Sequence, residues 1–200
     1  MLTELTDEQL LAQALDGNED AFTALYRRRQ GPVYRFALHM SGSPTVAEEV
    51  TQEVFIFLLQ RGRDFDPERG AVGAYLYGVA RNYIRRAMEK SYTEATTTTV
   101  AEEDDPQLVT DFDPVREIAQ SQTSQAVRKA VRSLPVHYRE VVVLCDLQEQ
   151  TYADAALALG CALGTVRSRL HRAHEMLVKK LQHAAPALAG ITGDAARCLS

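Results

Sequence analysis

The chain has 200 residues, 46% apolar and 24% charged, with a formal net charge of −5, which supports folded cores and excludes a protein that coats nucleic acid uniformly. No apolar run approaches the length of a membrane span, and the start "MLTELTDEQLL" is acidic, unlike a signal peptide. Cys145, Cys161 and Cys198 have no paired metal spacing, so the expectation is a cytoplasmic protein in a reducing compartment, with no metal and no cofactor.

Helical periodicity dominates and no alternating strand emerges. The expected fold class is all-α: an N-terminal helical bundle and a C-terminal helix-turn-helix domain, joined by an acidic flexible linker. Thr6 with Gln9 makes a capping-box start for a helix carrying Leu10, Leu11, Ala14 and Leu15. Asn18 caps a second, with Phe22, Leu25 and Tyr26 inward and a kink expected at Gly31 and Pro32. Ser43 before Pro44 starts a third, whose Val46, Val50, Val54, Phe57 and Leu58 recur at helical spacing. A fourth runs from about Ala71 to Met88, with Val72, Leu76, Val79, Ala80 and Tyr83 on one face. Four such helices suit a small bundle over residues 1–90.

Residues 91–121 change character. Ser91 to Glu117 holds four consecutive threonines, two prolines, and eight carboxylates (Glu94, Glu102, Glu103, Asp104, Asp105, Asp111, Asp113 and Glu117) against Arg116 alone, a net charge of −7. Such a segment cannot bury enough apolar surface to fold alone and reads as an extended tether. The helical pattern resumes with Ala126, Val127, Ala130, Val131 and Leu134 and defines a second domain over 122–183. Residues 184–200 form a small-residue tail to which no role is assigned.

Within the second domain, "GTVRSRLHRAHEML" gathers Arg167, Arg169, Arg172, His171 and His174 into a few residues of an acidic chain. At about 100° per residue, Val166, Leu170, Ala173 and Leu177 share one narrow stripe. Arg167, Ser168, His171 and Arg172 lie opposite, with Arg169 at the edge and Thr165 as the expected N-cap. Before it, Thr151 caps a short helix with Tyr152, Ala155, Ala156 and Leu159 inward, and Gly160 suits a left-handed C-cap. A short helix, a glycine turn and a basic amphipathic helix form a helix-turn-helix pattern, whose second helix offers arginines to guanine edges and phosphates in a major groove.

The stretch "SLPVHYREVVVLCDLQEQTYADAALALGCALGTVRSRLHRAHEML" resembles the C-terminal domain of bacterial RNA polymerase sigma factors of the extracytoplasmic-function type, within the sigma-70 family. "AFTALYRRRQGPVYRFALHM", "PTVAEEVTQEVFIFLLQR" and "FDPERGAVGAYLYGVARNYIRR" are similar, in the right order, to the family's N-terminal domain. The resemblance implies a transcription initiation factor with no catalysis of its own. Its partners would be core RNA polymerase (the beta-prime coiled coil and the beta subunit), promoter DNA and an anti-sigma factor.

The resemblance also implies residue roles. "AEEVTQEVF" places Glu48, Glu49, Gln52, Glu53 and Phe55 in the set that grips the polymerase; on a helix Glu49, Gln52 and Glu53 are neighbours and can form one acidic patch. The minus-ten element, read as melted single strand, falls to Arg69, Tyr75, Arg81, Asn82 and Arg85, with the last three opposite the apolar stripe and free to meet DNA. Tyr75 stands where the family commonly has tryptophan but keeps an aromatic face. The minus-thirty-five duplex falls to Thr165, Arg167, Ser168, Arg169, His171 and Arg172. The linker would thread through the polymerase toward the RNA exit path, or serve as a plain spacer.

Two other classes remain open on sequence. One is a sigma mimic, an adaptor that sequesters an anti-sigma factor; it need not keep DNA-facing arginines, which are intact here. The other is a plain helix-turn-helix regulator, which does not explain the polymerase-gripping motif. No catalytic residue is assigned, because His39, His137, His171, His174 and His183 pair with no nucleophile or metal spacing.

Overall fold

Helices carry both halves of the computed structural model, which describes residues 4–95 and 124–195, with side chains placed through 89 and from 124 to 182. The tether expected over 91–121 lies outside the described residues from 96 onward. The N-terminal half comprises α1 (Asp7–Leu15), α2 (Glu19–Ser41), α3 (Pro44–Arg61) and α4 (Val72–Ala95). The C-terminal half comprises α5 (124–132), α6 (Val136–Val142), α7 (Tyr152–Leu159) and α8 (Leu163–Ala195). No strand occurs among the described residues, and no helix among them is long and apolar enough to cross a membrane.

Local chemistry starts the first three helices where the sequence suggests. Thr6 and Gln9 close a reciprocal capping box, the two bonds being 2.9 and 3.3 Å. Asn18 Oδ1 accepts from the Ala21 amide at 3.1 Å, and Ser43 Oγ accepts from the Val46 amide at 3.4 Å ahead of Pro44. α2 runs as one continuous helix through Pro32. Pro32 forfeits one backbone bond, but Val33, Phe36, Ala37 and Met40 beyond it are buried in the same core as Ala21 and Leu25, so packing holds the helix together.

The start of α4 is capped from a distance. Glu8 Oε1, on α1, accepts from the Val72 amide at 3.1 Å and places a carboxylate at the positive end of α4. Burial opposes ionisation of Glu8, but the bonds from the Val72 amide, its own amide and Thr6, with the nearby Arg29 guanidinium, outweigh it and hold its pKa below the ordinary value. A depressed folded pKa adds stability above the unfolded value and loses it as pH falls through the folded one. Glu8→Ala should therefore cost about 1 kcal/mol in urea unfolding at neutral pH, with the deficit vanishing in acid below the ordinary glutamate range. An unchanged midpoint at neutral pH would show that the cap is dispensable.

The two halves share one contiguous core. Leu10, Phe36, Leu58, Leu76 and Ile84 of the first half and Leu134, Val141, Leu144, Ala155 and Leu159 of the second all belong to it. α7 packs closely against α4: a Cβ added at Gly78 would lie 3.3 Å from the Ala158 carbonyl oxygen. Polar links also span the halves. Arg81 pairs with the buried Glu140, Tyr77 donates to Gln148 Oε1 at 3.3 Å, and Arg139 Nη1 donates to the Met40 carbonyl at 2.7 Å.

Candidate nucleic-acid interface

Thr151 Oγ1 accepts from the Asp154 amide at 3.1 Å and starts α7. Gly160 ends it in the left-handed region (φ 62°, ψ 39°), a conformation that glycine adopts without steric cost. The chain then enters α8 at Leu163, three residues earlier than the sequence suggests. The Thr165 and Val166 amides already bond the Ala162 carbonyl, at 2.9 and 3.2 Å, so Thr165 is a half-buried first-turn residue and not the N-cap. Val166, Leu170 and Ala173 are buried, whereas Arg167, Ser168, His171 and Arg172 are exposed and Arg169 is half-buried at the edge. The basic face is therefore the one the periodicity gives.

Among the described residues Arg167, Arg169 and Arg172 have no ion pair, so their donors are available to an outside acceptor. Ser168 Oγ donates back to the Thr165 carbonyl at 3.1 Å. His171 lies 3.5 Å from Glu175 along the same helix, and His174, itself exposed, pairs with Asp146 at 2.7 Å. His174 thus braces α8 against the end of α6, where a π turn (Val143–Leu147) has no sequence signal.

Four of the five residues assigned to single-stranded DNA meet in one cleft. Arg69, Tyr75, Arg81 and Asn82 line a cavity of about 430 Å³ together with Phe65 and Asp66; Arg85 is exposed outside it. Asp66 Oδ1 accepts from the Glu68 amide at 3.0 Å and fixes the short turn Pro67–Arg69. The Tyr75 ring sits 5.4 Å from that of Phe65, and its hydroxyl is pushed up in pKa by burial and by Asp64. The floor is thus an aromatic pair flanked by an amide and guanidinium groups, chemistry that suits stacking on a nucleobase and binding phosphate.

Arg81 corrects the expectation that it is free. It lies across Glu140, Nε on Oε1 at 2.5 Å and Nη2 on Oε2 at 3.4 Å. The far wall of the cleft is Leu157–Gly160 of the helix-turn-helix. Sequence reasoning had no means to find Glu140 or that wall, since neither is near α4 along the chain.

On α3, Glu48, Glu49, Gln52 and Glu53 are all exposed, and the first three line a groove of about 780 Å³ shared with Tyr26, Arg27, Gln30 and Tyr34 of α2. Phe55 is a correction: it is buried, edge-on to Tyr26 at 4.7 Å and Phe22 at 6.4 Å. The exposed aromatic here is Tyr26, which the sequence reading had placed inward.

Burial, then the Asp146 carboxylate, pushes the Cys145 thiol up to about 11, so it is protonated and poorly nucleophilic at neutral pH. No three His, Cys, Asp or Glu side chains converge to hold a metal among the described residues.

Comparison with known proteins bears on this geometry. Residues 25–92 match the Sigma-70 region 2 family and residues 124–177 the Sigma-70 region 4 family. The chain is 32% identical over 179 residues to the ECF RNA polymerase sigma factor SigM of Mycobacterium tuberculosis, covering 89% of this chain and 86% of that one. It is 28% identical to the ECF RNA polymerase sigma factor SigW of Bacillus subtilis, covering 90% and 98%. Its fold is similar to that of the sigma factor RpoE of Bartonella quintana, solved in complex with the anti-sigma factor NepR (TM-score 0.65, 24% identity, covering 80% and 96%).

Proposed function

This chain belongs to the extracytoplasmic-function sigma factors of the sigma-70 family, and we propose on that premise that its two halves divide promoter recognition between them. The family is not an enzyme class, and the chain directs RNA polymerase to promoters. In our reading it acts in the cytoplasm without catalysis of its own. The acidic row on α3 and the groove beside it hold the polymerase, the α4 cleft takes the melted minus-ten strand, and the outer face of α8 reads the minus-thirty-five duplex. An anti-sigma factor is a further partner on this reading.

The carrying observation is that aromatic rings, Asn82 and Arg69 converge on one cleft while three unpaired arginines stand on the outer face of a helix-turn-helix. A sigma mimic has no need of either. Run-off transcription with purified core polymerase across a promoter library tests it: the chain should produce transcripts from a defined subset of promoters. Transcription no different from core polymerase alone would refute the assignment.

Arg172→Ala or Arg169→Ala should each cost about 1–3 kcal/mol of duplex affinity if the residue reads a base. Fluorescence anisotropy with a matched minus-thirty-five duplex measures this, and unchanged affinity in both variants would remove α8 from the reading role.

A further inference from the structure

We propose that α1, which precedes the residues matched to the Sigma-70 region 2 family, is a positioning element for base reading: it pins both ends of the loop 62–71 and so sets where Phe65, Asp66 and Arg69 stand in the α4 cleft. The proposal rests on the reading of that cleft as the minus-ten site. At the near end of the loop, Arg63 Nη2 donates to the Leu15 carbonyl at 2.8 Å, on the last turn of α1, and lies 3.7 Å from Asp16. Gly62 beside it is buried against the same helix, a Cβ there falling 2.9 Å from Leu15 Cδ2. At the far end, Glu8 on the first turn of α1 accepts from the Val72 amide at 3.1 Å. Its neighbour Asp7, only 4% exposed, holds Arg29 of α2, whose guanidinium lies on the first turn of α4, Nη1 2.8 Å from a Cβ added at Gly73.

Packing contributes little between these two anchors. A cavity of about 310 Å³, lined by Leu11, Leu15, Phe65 and Pro67, separates the middle of the loop from α1, and dispersion contacts across such a gap are lost. The polar anchors therefore decide where the loop lies. Phe65 carries that position into the site, because it lines both this cavity and the cleft, where its ring is 5.4 Å from Tyr75. Hydrogen bonds weaken steeply with distance and angle, so a displaced loop loses the distinction between base edges first. Phosphate contact from Arg85, which stands on α4 and outside the cleft, is left as it was.

The experiment uses holoenzyme reconstituted with core RNA polymerase. Anisotropy gives its affinity for single-stranded minus-ten oligonucleotides carrying each of the four bases in turn, at several salt concentrations. Glu8→Ala/Arg63→Ala should reduce discrimination between the best and worst base by about tenfold or more, the scale of one good base contact. Its salt slope and its minus-thirty-five duplex affinity should stay parental. Glu8→Gln, whose amide oxygen still accepts from the Val72 amide, should discriminate as the parent does. So should Ser43→Ala, which removes a cap from α3 instead and controls for lost stability. Parental discrimination in the double variant overturns the proposal, as does an equal loss in Glu8→Gln or in Ser43→Ala. A uniform loss with a shallower salt slope also overturns it, because Arg63 would then be a phosphate contact. If the parent holoenzyme does not tell the bases apart and Asn82→Ala changes nothing, the assignment of the cleft to the minus-ten strand fails, and the proposal with it.

Discussion

Glu49→Lys combined with Glu53→Lys is expected to abolish co-elution of the chain with core RNA polymerase, while helical content and thermal unfolding stay close to the parent's. Both carboxylates are exposed on α3 and stand one turn apart. Neither forms an ion pair among the described residues. Surface substitutions of this kind shift folding by roughly 0.5 kcal/mol or less. Binding is another matter, because reversal replaces attraction by like-charge contact, which costs several kcal/mol across an interface. A loss of about 4 kcal/mol is close to a thousandfold in affinity, enough to empty the complex at micromolar protein. Co-elution at parental affinity would place the polymerase interface elsewhere than the α2–α3 groove.

The second large effect concerns the melted strand. Extruding a base from a duplex costs a few kcal/mol, and stacking on an aromatic surface returns about 1–3 kcal/mol per base. The Tyr75–Phe65 pair supplies that surface in the cleft. Asn82, two turns further along α4, both donates and accepts, so it can tell one base edge from another. Asn82→Ala should therefore weaken binding to single-stranded minus-ten oligonucleotides and change the preferred base. Arg85, exposed on the same helix and outside the cleft, is assigned to phosphate contact in this reading. Arg85→Ala should weaken all sequences alike and reduce the salt slope by about one counterion. Titration at several salt concentrations separates the two, and a base-selective defect in Arg85→Ala would reverse the roles.

Much of this fold is legible in the sequence because the relevant signals are local. The Thr6, Asn18, Ser43 and Thr151 caps and the Gly160 turn each need only a few neighbouring residues, and all five are present. The stripe Val166, Leu170 and Ala173 put the arginines of α8 on the right face for the same reason. What was not legible is long-range. Ala155 and Leu159 of α7 read as inward, but Ala158 also meets Gly78 of α4, 80 residues earlier in the chain. Nothing near Arg81 announces Glu140, and nothing near Val72 announces Glu8. Phe55 and Tyr26 exchange places because amphipathic period alone does not settle which of two touching rings is the outer one. The sequence therefore places the candidate residues on faces, and their partners emerge only in three dimensions.

The central claim is that the α4 cleft captures the melted strand and so opens the promoter without nucleotide hydrolysis, by binding the open form better than the closed one. Permanganate footprinting of the reconstituted holoenzyme on a matched promoter tests it most directly. The parent chain should make minus-ten thymines reactive, and Asn82→Ala/Arg85→Ala should leave them unreactive while still binding core polymerase and minus-thirty-five duplex. Parental thymine reactivity with the double variant would contradict the account, because the strand would then be opened by some other surface.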